Sequence, residues 1–329
     1  MSKKRKKKIV FLTSTRADYG KLKPLILIIK KSKKFEPIII ATGMHMQRRY
    51  GYTFDQIKKD FVNIKIYKFS NQKAEESMDI VLSKTIKLLH KTLKLIKPNL
   101  VIIHGDRSET LAASIYCNFN NILIGHIEGG EVSGTVDESI RHATTKLSHI
   151  HFVSNMKAKR VLKRMGEIEK YIYVIGSPEV DTMIKKDLPS LKDLMWRYSI
   201  KFKKYAIFLF HPVTTLEKKQ VENQCKILFN AIKKSSKKFV IIYPNNDTFS
   251  DIIFKYINNL RTNSNFRILP SLRFEYYLTL LKNSEFIIGN SSSGIREAPI
   301  YGVKTINLGN RQKNRINSKY ITNIDFKEK

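Results

Sequence analysis

Short apolar runs alternate with stretches of helical periodicity along this whole chain, and that alternation leaves few folds open. Residues 9–13, 38–41, 100–103, 122–124 and 173–175 read as short buried strands. Between them lie helical patterns, clearest at Met78–Ile96. There Met78, Leu82, Ile86, Leu89, Leu93 and Ile96 recur at three- and four-residue steps, and Lys84, Lys87, Lys91 and Lys94 cover the rest. Strands separated by helices pair in parallel through crossover connections, which predicts an α/β chain. The same grammar restarts at 205–210, 239–243, 266–269, 285–288 and 304–307. A polar segment at 177–204, with Pro178 and Pro189, separates the halves. We therefore expect an N-terminal domain over residues 1–177 and a C-terminal domain over 178–329, with a central cleft at their strand ends.

Length and charge narrow the partners. A chain of 329 residues accommodates two cores. Its formal charge of +33 would ordinarily suggest nucleic acid. The lysines, however, are spread in pairs such as Lys30-Lys31, Lys203-Lys204 and Lys237-Lys238, and no basic stripe alternates with aromatics. We expect no nucleic-acid partner, and a charge that helps attract an anionic substrate. The Lys3-to-Lys8 run reads as a solvated tail. No apolar run approaches 18 residues, so no membrane partner is expected. The run at 9–13 is too short for a signal peptide. Cys117 and Cys225 alone exclude a disulfide framework or a cysteine-based zinc site and fit a reducing cytoplasm.

The most specific segment is 287–298, Ile-Ile-Gly-Asn-Ser-Ser-Ser-Gly-Ile-Arg-Glu-Ala. A strand ends at Gly289 and Asn290, and Ser291, Ser292, Ser293 and Gly294 open a helix. Unbonded N–H groups and the dipole at such a terminus favour an anion, and serine hydroxyls add donors without bulk. Glu297 lies about one turn further on, where a carboxylate suits the two hydroxyls of a ribose. The plain alternative is an N-capped helix with spare serines.

Three segments of the first half also end strands. Ser14-Thr15-Arg16-Ala17-Asp18-Tyr19 places Arg16 beside a helix N-terminus. His104-Gly105-Asp106-Arg107-Ser108-Glu109 and Gly125-His126-Ile127-Glu128-Gly129-Gly130-Glu131 follow two further strands, and residues 133–142 begin a helix with Asp137 and Arg141 at i, i+4. Strand ends of a parallel sheet line one edge, so Asp106, Glu128 and Asp137 can converge. Clustered carboxylates suit proton transfer, because repulsion and burial hold a proton on one while another stays ionised. The alternatives are structural: Asp137 pairing with Arg141, and Asp106 with Arg107 or a lysine. His45, His90, His149 and His151 are scattered and read as structural or exposed; no metal-ligand spacing occurs. In the second half, His211 and Asn246 follow strands. His211 suits a pyrophosphate oxygen and Asn246 a base or hydroxyl.

These motifs, taken together, resemble the hydrolysing UDP-N-acetylglucosamine 2-epimerases of sialic-acid biosynthesis. The resemblance rests on Thr15-Arg16-Ala17-Asp18-Tyr19, His104-Gly105-Asp106-Arg107, His126-Ile127-Glu128-Gly129-Gly130-Glu131, residues 133–142, His211-Pro212, Pro244-Asn245-Asn246-Asp247, and Gly289 through Glu297. Gly309-Asn310-Arg311-Gln312 continues it. It covers nearly the whole chain from Ile9, in order. Arg107 after Asp106, and Thr135-Val136-Asp137-Glu138-Ser139, resemble the hydrolysing rather than the non-hydrolysing branch.

The resemblance implies two Rossmann-like domains around a cleft, a GT-B-like architecture. It implies Asp106, Glu128 and Asp137 as acid/base carboxylates, with His211, Arg16, Ser291 and Ser292 on the diphosphate, Glu297 on the ribose and Asn246 on the nucleotide. Arg107, Arg141 and Arg311 join the expected substrate-binding set, and His211 the catalytic set. The implied route is anti elimination of UDP to a 2-acetamidoglucal, then addition of water, with no metal or redox cofactor and with a dimer or tetramer as the assembly. Two alternatives stay open: the same chemistry on a nucleotide-linked 2,4-diacetamido-trideoxyhexose, and a GT-B glycosyltransferase. Family members continue for several tens of residues past the Gly-Asn-Arg-Gln segment into helices that cross back onto the first domain. This sequence stops at Ile324-Asp325-Phe326-Lys327-Glu328-Lys329, so those helices are expected to be short or missing.

Overall fold

The computed structural model describes residues 6–73, 76–133, 136–184, 187–313, 315 and 318–326. Residues 1–5, Gly134, Thr135 and 327–329, which the sequence reading touches, lie outside the described set. The chain divides into two compact units, Met1–Glu131 with Asp137–Lys185, and Val132–Val136 with Lys186–Lys329.

The first unit runs β1 (Lys7–Thr13), α1 (Arg16–Lys31), β2 (Phe35–Ala41), α2 (Phe54–Asp60), β3 (Lys65–Lys68), α3 (Met78–Ile96) and β4 (Leu100–His104). It continues through α4 (Ser108–Phe119), β5 (Leu123–Ile127), α5 (Val136–Lys146), β6 (Ile150–Val153), α6 (Met156–Arg164), β7 (Ile172–Val174) and α7 (Pro178–Met183). Its strands are parallel, in the order β3-β2-β1-β4-β5-β6-β7. Side chains alternate across a strand, so each strand feeds two cores. Val10, Leu12, Ile38, Ile40, Val101 and Ile103 pack with Leu89 and Leu93 of α3 and Ala113 of α4. Ile9, Phe11, Ile39 and Ile102 pack on the other face with Leu22 and Ile26 of α1 and Ile57 of α2. Helices on both faces explain why these strands are continuously apolar.

The second unit runs α8 (Leu191–Tyr198), β8 (Ala206–Leu209), α9 (Lys218–Lys234), β9 (Phe239–Ile242), α10 (Ser250–Asn258), β10 (Phe266–Leu269) and α11 (Phe274–Lys282). Then follow β11 (Phe286–Gly289), α12 (Ser292–Arg296), β12 (Lys304–Leu308) and β13 (Ile321–Ile324). Its parallel order, β10-β9-β8-β11-β12-β13, repeats that of the first unit. In both sheets the strand order therefore reverses once, between β1 and β4 and between β8 and β11. Loops after such neighbouring strands leave on opposite faces and open a crevice at the carboxyl ends. Each unit is Rossmann-like, as expected.

The differences from the sequence reading have physical causes. Strands β3 and β13 lie at sheet edges, where Lys-Ile-Tyr-Lys and Ile-Thr-Asn-Ile leave polar side chains in water and blur the apolar signal. Strand β6, Ile-His-Phe-Val, is masked by the buried His151. Strand β5 extends through Ile127 instead of ending at Ile124. Gly125 permits this, since a Cβ there would meet Ile102 Cδ1 at 2.7 Å. The first unit also keeps α7, which packs on α1, so the boundary falls after Lys185 and not after Ser177.

Candidate functional site

In the first unit the residues singled out from sequence lie on the loops after β1, β4 and β5 and in helices α1 and α5. After β1, Thr15 caps α1: its hydroxyl accepts from the Asp18 amide at 3.2 Å. Asp18 in turn accepts from the Ser14 and Thr15 amides at 2.9 and 3.1 Å. This reciprocal capping box fixes the turn and sets half-buried Arg16 at the first helical position. Asp18 is thus a structural residue of that motif.

After β4, Gly105 turns at φ +75°, a conformation suited to glycine. Its amide donates to the Ile127 carbonyl at 3.0 Å, and its carbonyl accepts from His126 Nε2 at 2.8 Å. His126 Nδ1 lies 3.1 Å from Thr145 Oγ1, so this fully buried ring is a strut between the Asp106 loop and α5. Burial holds its pKa down to about 3, which keeps it neutral.

Asp106 is half-buried, and Arg141 Nη2 from α5 grips its Oδ2. Arg141 Nη1 also donates to the Glu131 carbonyl at 2.8 Å. Asp106 thus has a partner 35 residues further along the chain, and Asp137 adds its charge to the same guanidinium. Although burial opposes its charge, Arg141 stays firmly protonated because Asp106, Glu131 and Asp137 outweigh that penalty. With 1% of its surface exposed, Arg141 organises carboxylates from within the unit. Arg107, the residue before α4, lies 3.8 Å from Glu109 through Nε.

Glu128 follows β5 with φ +64°, a region residues with a Cβ rarely enter. Its amide donates to the Phe152 carbonyl at 2.9 Å, holding the backbone there. Lys21 of α1 donates to both carboxylate oxygens, at 3.0 and 3.2 Å, and His104 Nε2 lies 3.2 Å away. A strained backbone and a buried charged pair together make this a candidate site. Asp106 and Glu128 thus stand just past two hydrogen-bonded neighbours, β4 and β5.

In the second unit the loops after β8, β9 and β11 carry the remaining residues. A Cβ at Gly289 would sit 1.9 Å from the Leu209 carbonyl oxygen, so only glycine lets β11 approach β8 so closely. Next comes Asn290, fully buried, whose side chain bonds the His211 main chain on both sides. His211 Nδ1 accepts the Asn245 amide at 2.9 Å, which leaves the proton of the neutral ring on Nε2 as a donor. Asn246 is buried one residue further on. Ser291 caps α12, accepting from the Ser293 amide at 3.3 Å, and Ser291 and Ser292 stay half-buried.

Helix α12 spans only five residues, so its first-turn N–H groups matter more than any dipole. Glu297 ends it and is buried. Beside it, burial and then the charge of Glu297 push up the Tyr277 hydroxyl, and the same two causes raise Tyr301 to about 12. Arg311 and Gln312 donate to the Asn290 carbonyl at 3.3 and 2.9 Å. The Gly-Asn-Arg-Gln segment thus braces the serine loop from behind.

Set against known proteins, residues 28–328 match the sequence profile of the family described as UDP-N-acetylglucosamine 2-epimerase. The chain belongs to this epimerase family. It is 44% identical over 323 residues to the UDP-N-acetylglucosamine 2-epimerase of Neisseria meningitidis serogroup B, covering 98% of this chain and 85% of that protein. It is 33% identical to the hydrolyzing UDP-N,N'-diacetylbacillosamine 2-epimerase of Legionella pneumophila, covering 97% and 85%. In fold it is similar to the Methanocaldococcus jannaschii UDP-GlcNAc 2-epimerase solved with UDP-GlcNAc and UDP: the TM-score is 0.80 at 21% identity, with 97% and 89% covered. This epimerase chain is thus α/β and GT-B-like. Among its described residues no helix is long and apolar enough to cross a membrane.

Sequence reading did not single out Lys21 or Glu179 in the first unit, and in the second it named Asn290 and Gln312 only as motif positions, without a role. Lys21 had a faint signal: it shares a helical face with Asp18, Leu22 and Ile26, all of them buried. Asn290 had another, as a polar residue where an apolar run stops.

Proposed function

We propose that the chain is a hydrolysing 2-epimerase that converts UDP-N-acetylglucosamine and water into free N-acetylmannosamine and UDP. The observation that carries this reading is the pair of ion-paired carboxylates, Asp106 and Glu128, at the ends of adjacent strands. One carboxylate takes the C2 proton while the diphosphate leaves from C1 on the opposite face. The growing charge of that leaving group calls for N–H and cationic donors, and the loops bearing His211, Ser291 and Ser292, with Arg16 and Arg311, supply the right types. Water then adds to C1 of the 2-acetamidoglucal, and a carboxylic acid returns a proton to C2 from the other face. Asp106, Glu128 and Asp137 share these proton transfers, so the first domain is the acid/base domain. The second holds the nucleotide diphosphate, with Glu297 on the ribose and Asn246 on the nucleotide.

The Neisseria relative supports the gluco-configured substrate. The Legionella relative favours a second reading, the same elimination and hydration on a nucleotide-linked 2,4-diacetamido-trideoxyhexose. We further infer cytoplasmic action, in keeping with free, buried Cys117 and Cys225. Association into a dimer or tetramer is supported by an apolar hollow between α3 and α4, where Phe119 is 81% exposed. The test is incubation with each nucleotide sugar, following nucleotide and free sugar by proton NMR. Release of free manno-configured sugar from UDP-N-acetylglucosamine supports the first reading. A UDP-linked manno sugar would refute hydrolysis, and turnover of the diacetamido sugar alone would select the second.

A further inference from the structure

Glu179, in the first turn of α7, has no part in the chemistry above, yet it is 2% exposed and points at the same cluster. Its Oε1 lies 3.4 Å from Lys21 Nζ, the ammonium that holds both oxygens of Glu128. A carboxylate is rarely buried this deeply without a partner that repays its lost hydration. The Lys21–Glu128 pair is already neutral and needs no second anion. What Lys21 does need is restraint, since its four-carbon stem is flexible and its charge is a point without a preferred direction. A carboxylate from a different helix pins the ammonium by a second contact and narrows the rotamers from which it reaches Glu128.

We propose that Glu179 is a positioning residue: it anchors Lys21, and through Lys21 it sets the orientation of the Glu128 carboxylate for proton transfer. The backbone of Glu128 is already held in a left-handed conformation, so orientation of its carboxylate is the freedom left to control. The charged or titratable groups placed around that carboxylate include Lys21 from α1, His104 from the end of β4 and, on the same ammonium, Glu179 from α7. This inference rests on the reading of Glu128 as an acid/base group.

Glu179→Gln keeps size and removes charge. It should lower kcat by roughly 10- to 100-fold, the scale on which misplacement of a reacting group acts, with KM within about twofold. In a Lys21→Met background it should cost nothing further, because the route to Glu128 is already cut. Lys21→Arg, which can span both carboxylates, should retain much more turnover than Lys21→Met. A separate arm needs no turnover: carbon-13 NMR of the protein labelled at glutamate carboxyls, with Glu128 assigned through Glu128→Gln. In Glu179→Gln the Glu128 titration midpoint should fall, since Lys21 then serves one carboxylate alone. An unmoved midpoint, or additive losses in the double variant, would overturn the positioning role. A wild type that turns over neither sugar would instead sink the reaction reading and leave the NMR arm to decide this one.

Discussion

Asn290 bonds the main chain of His211 through both ends of its side-chain amide, Oδ1 accepting from the His211 amide at 2.7 Å and Nδ2 donating to the His211 carbonyl at 2.8 Å. The β8–β11 ladder ends at Leu209 and Gly289, and the Asn290 side chain replaces the main-chain pairing beyond it. The two loops that flank the switch point of the second unit are thereby locked together. A residue expected to bind substrate, His211, thus takes its place from one that sequence reading named only as the end of a strand.

Asn290→Ala removes both bonds and strands two buried backbone groups. We expect about 2–4 kcal/mol of lost stability, since each unsatisfied buried group costs about 1–3 kcal/mol. Urea unfolding measures it directly. A loss below about 1 kcal/mol would mean that water replaces the amide.

In deuterated water the released manno-configured sugar should carry one deuterium at C2, because the elimination removes that proton to a carboxylate that exchanges with solvent. Proton NMR reads the C2 signal. Full retention of the C2 proton would exclude elimination.

Asp106→Asn, Glu128→Gln and Asp137→Asn should each slow turnover by roughly 10²–10⁴ with nucleotide affinity little changed, the range for loss of a general acid or base. Steady-state kinetics with a parallel UDP titration separates the two quantities. Near-normal turnover in any one variant returns that carboxylate to a structural role.

Glu297→Ala should weaken UDP by about 1.5–3 kcal/mol, as deletion of a charged hydrogen-bond acceptor does. Pyrophosphate, which has no ribose, should bind as well or slightly better once the negative charge is gone. Calorimetric titration of both ligands discriminates. An equal loss for the two would show that Glu297 supports the loop and does not hold the ribose.

Two buried histidines set an acid limit on stability. Burial lowers His45 to about 4 and His126 to about 3, from an ordinary 6.5. Between those values and 6.5 the unfolded chain binds protons that the folded chain refuses, so stability falls as pH falls through that window. Each histidine contributes at most about 1.4 kcal/mol per pH unit. Urea midpoints at pH 7, 5.5 and 4.5 should decline steadily, and His126→Asn should flatten the slope. An identical slope in that variant would remove His126 from the account.

Much of the candidate site was legible because the residues proposed for the chemistry sit where the pattern changes. Asp106, Glu128, His211 and Ser291 lie one or two residues past strands that each begin as an apolar run in the sequence. Beyond those positions the reading stopped, as side-chain roles there depend on partners. Arg141 shows the limit: its i, i+4 spacing suggested Asp137, while burial brought it to Asp106 as well.

The amino-acid sequence alone determined the α/β class, the twofold repetition of the strand–helix grammar and the loops that carry the residues proposed for the chemistry. Each follows from short-range periodicity and turn-forming residues. Only the tertiary structure decided that Lys21 joins Glu128, that Glu179 stands behind Lys21 and that Asn290 holds His211. Those partners lie far apart in the chain, 107 residues for Lys21 and Glu128 and 79 for Asn290 and His211. One lysine among 61 basic residues carries no local mark of its partner. Burial, which removes water as the competing partner, is what selects it.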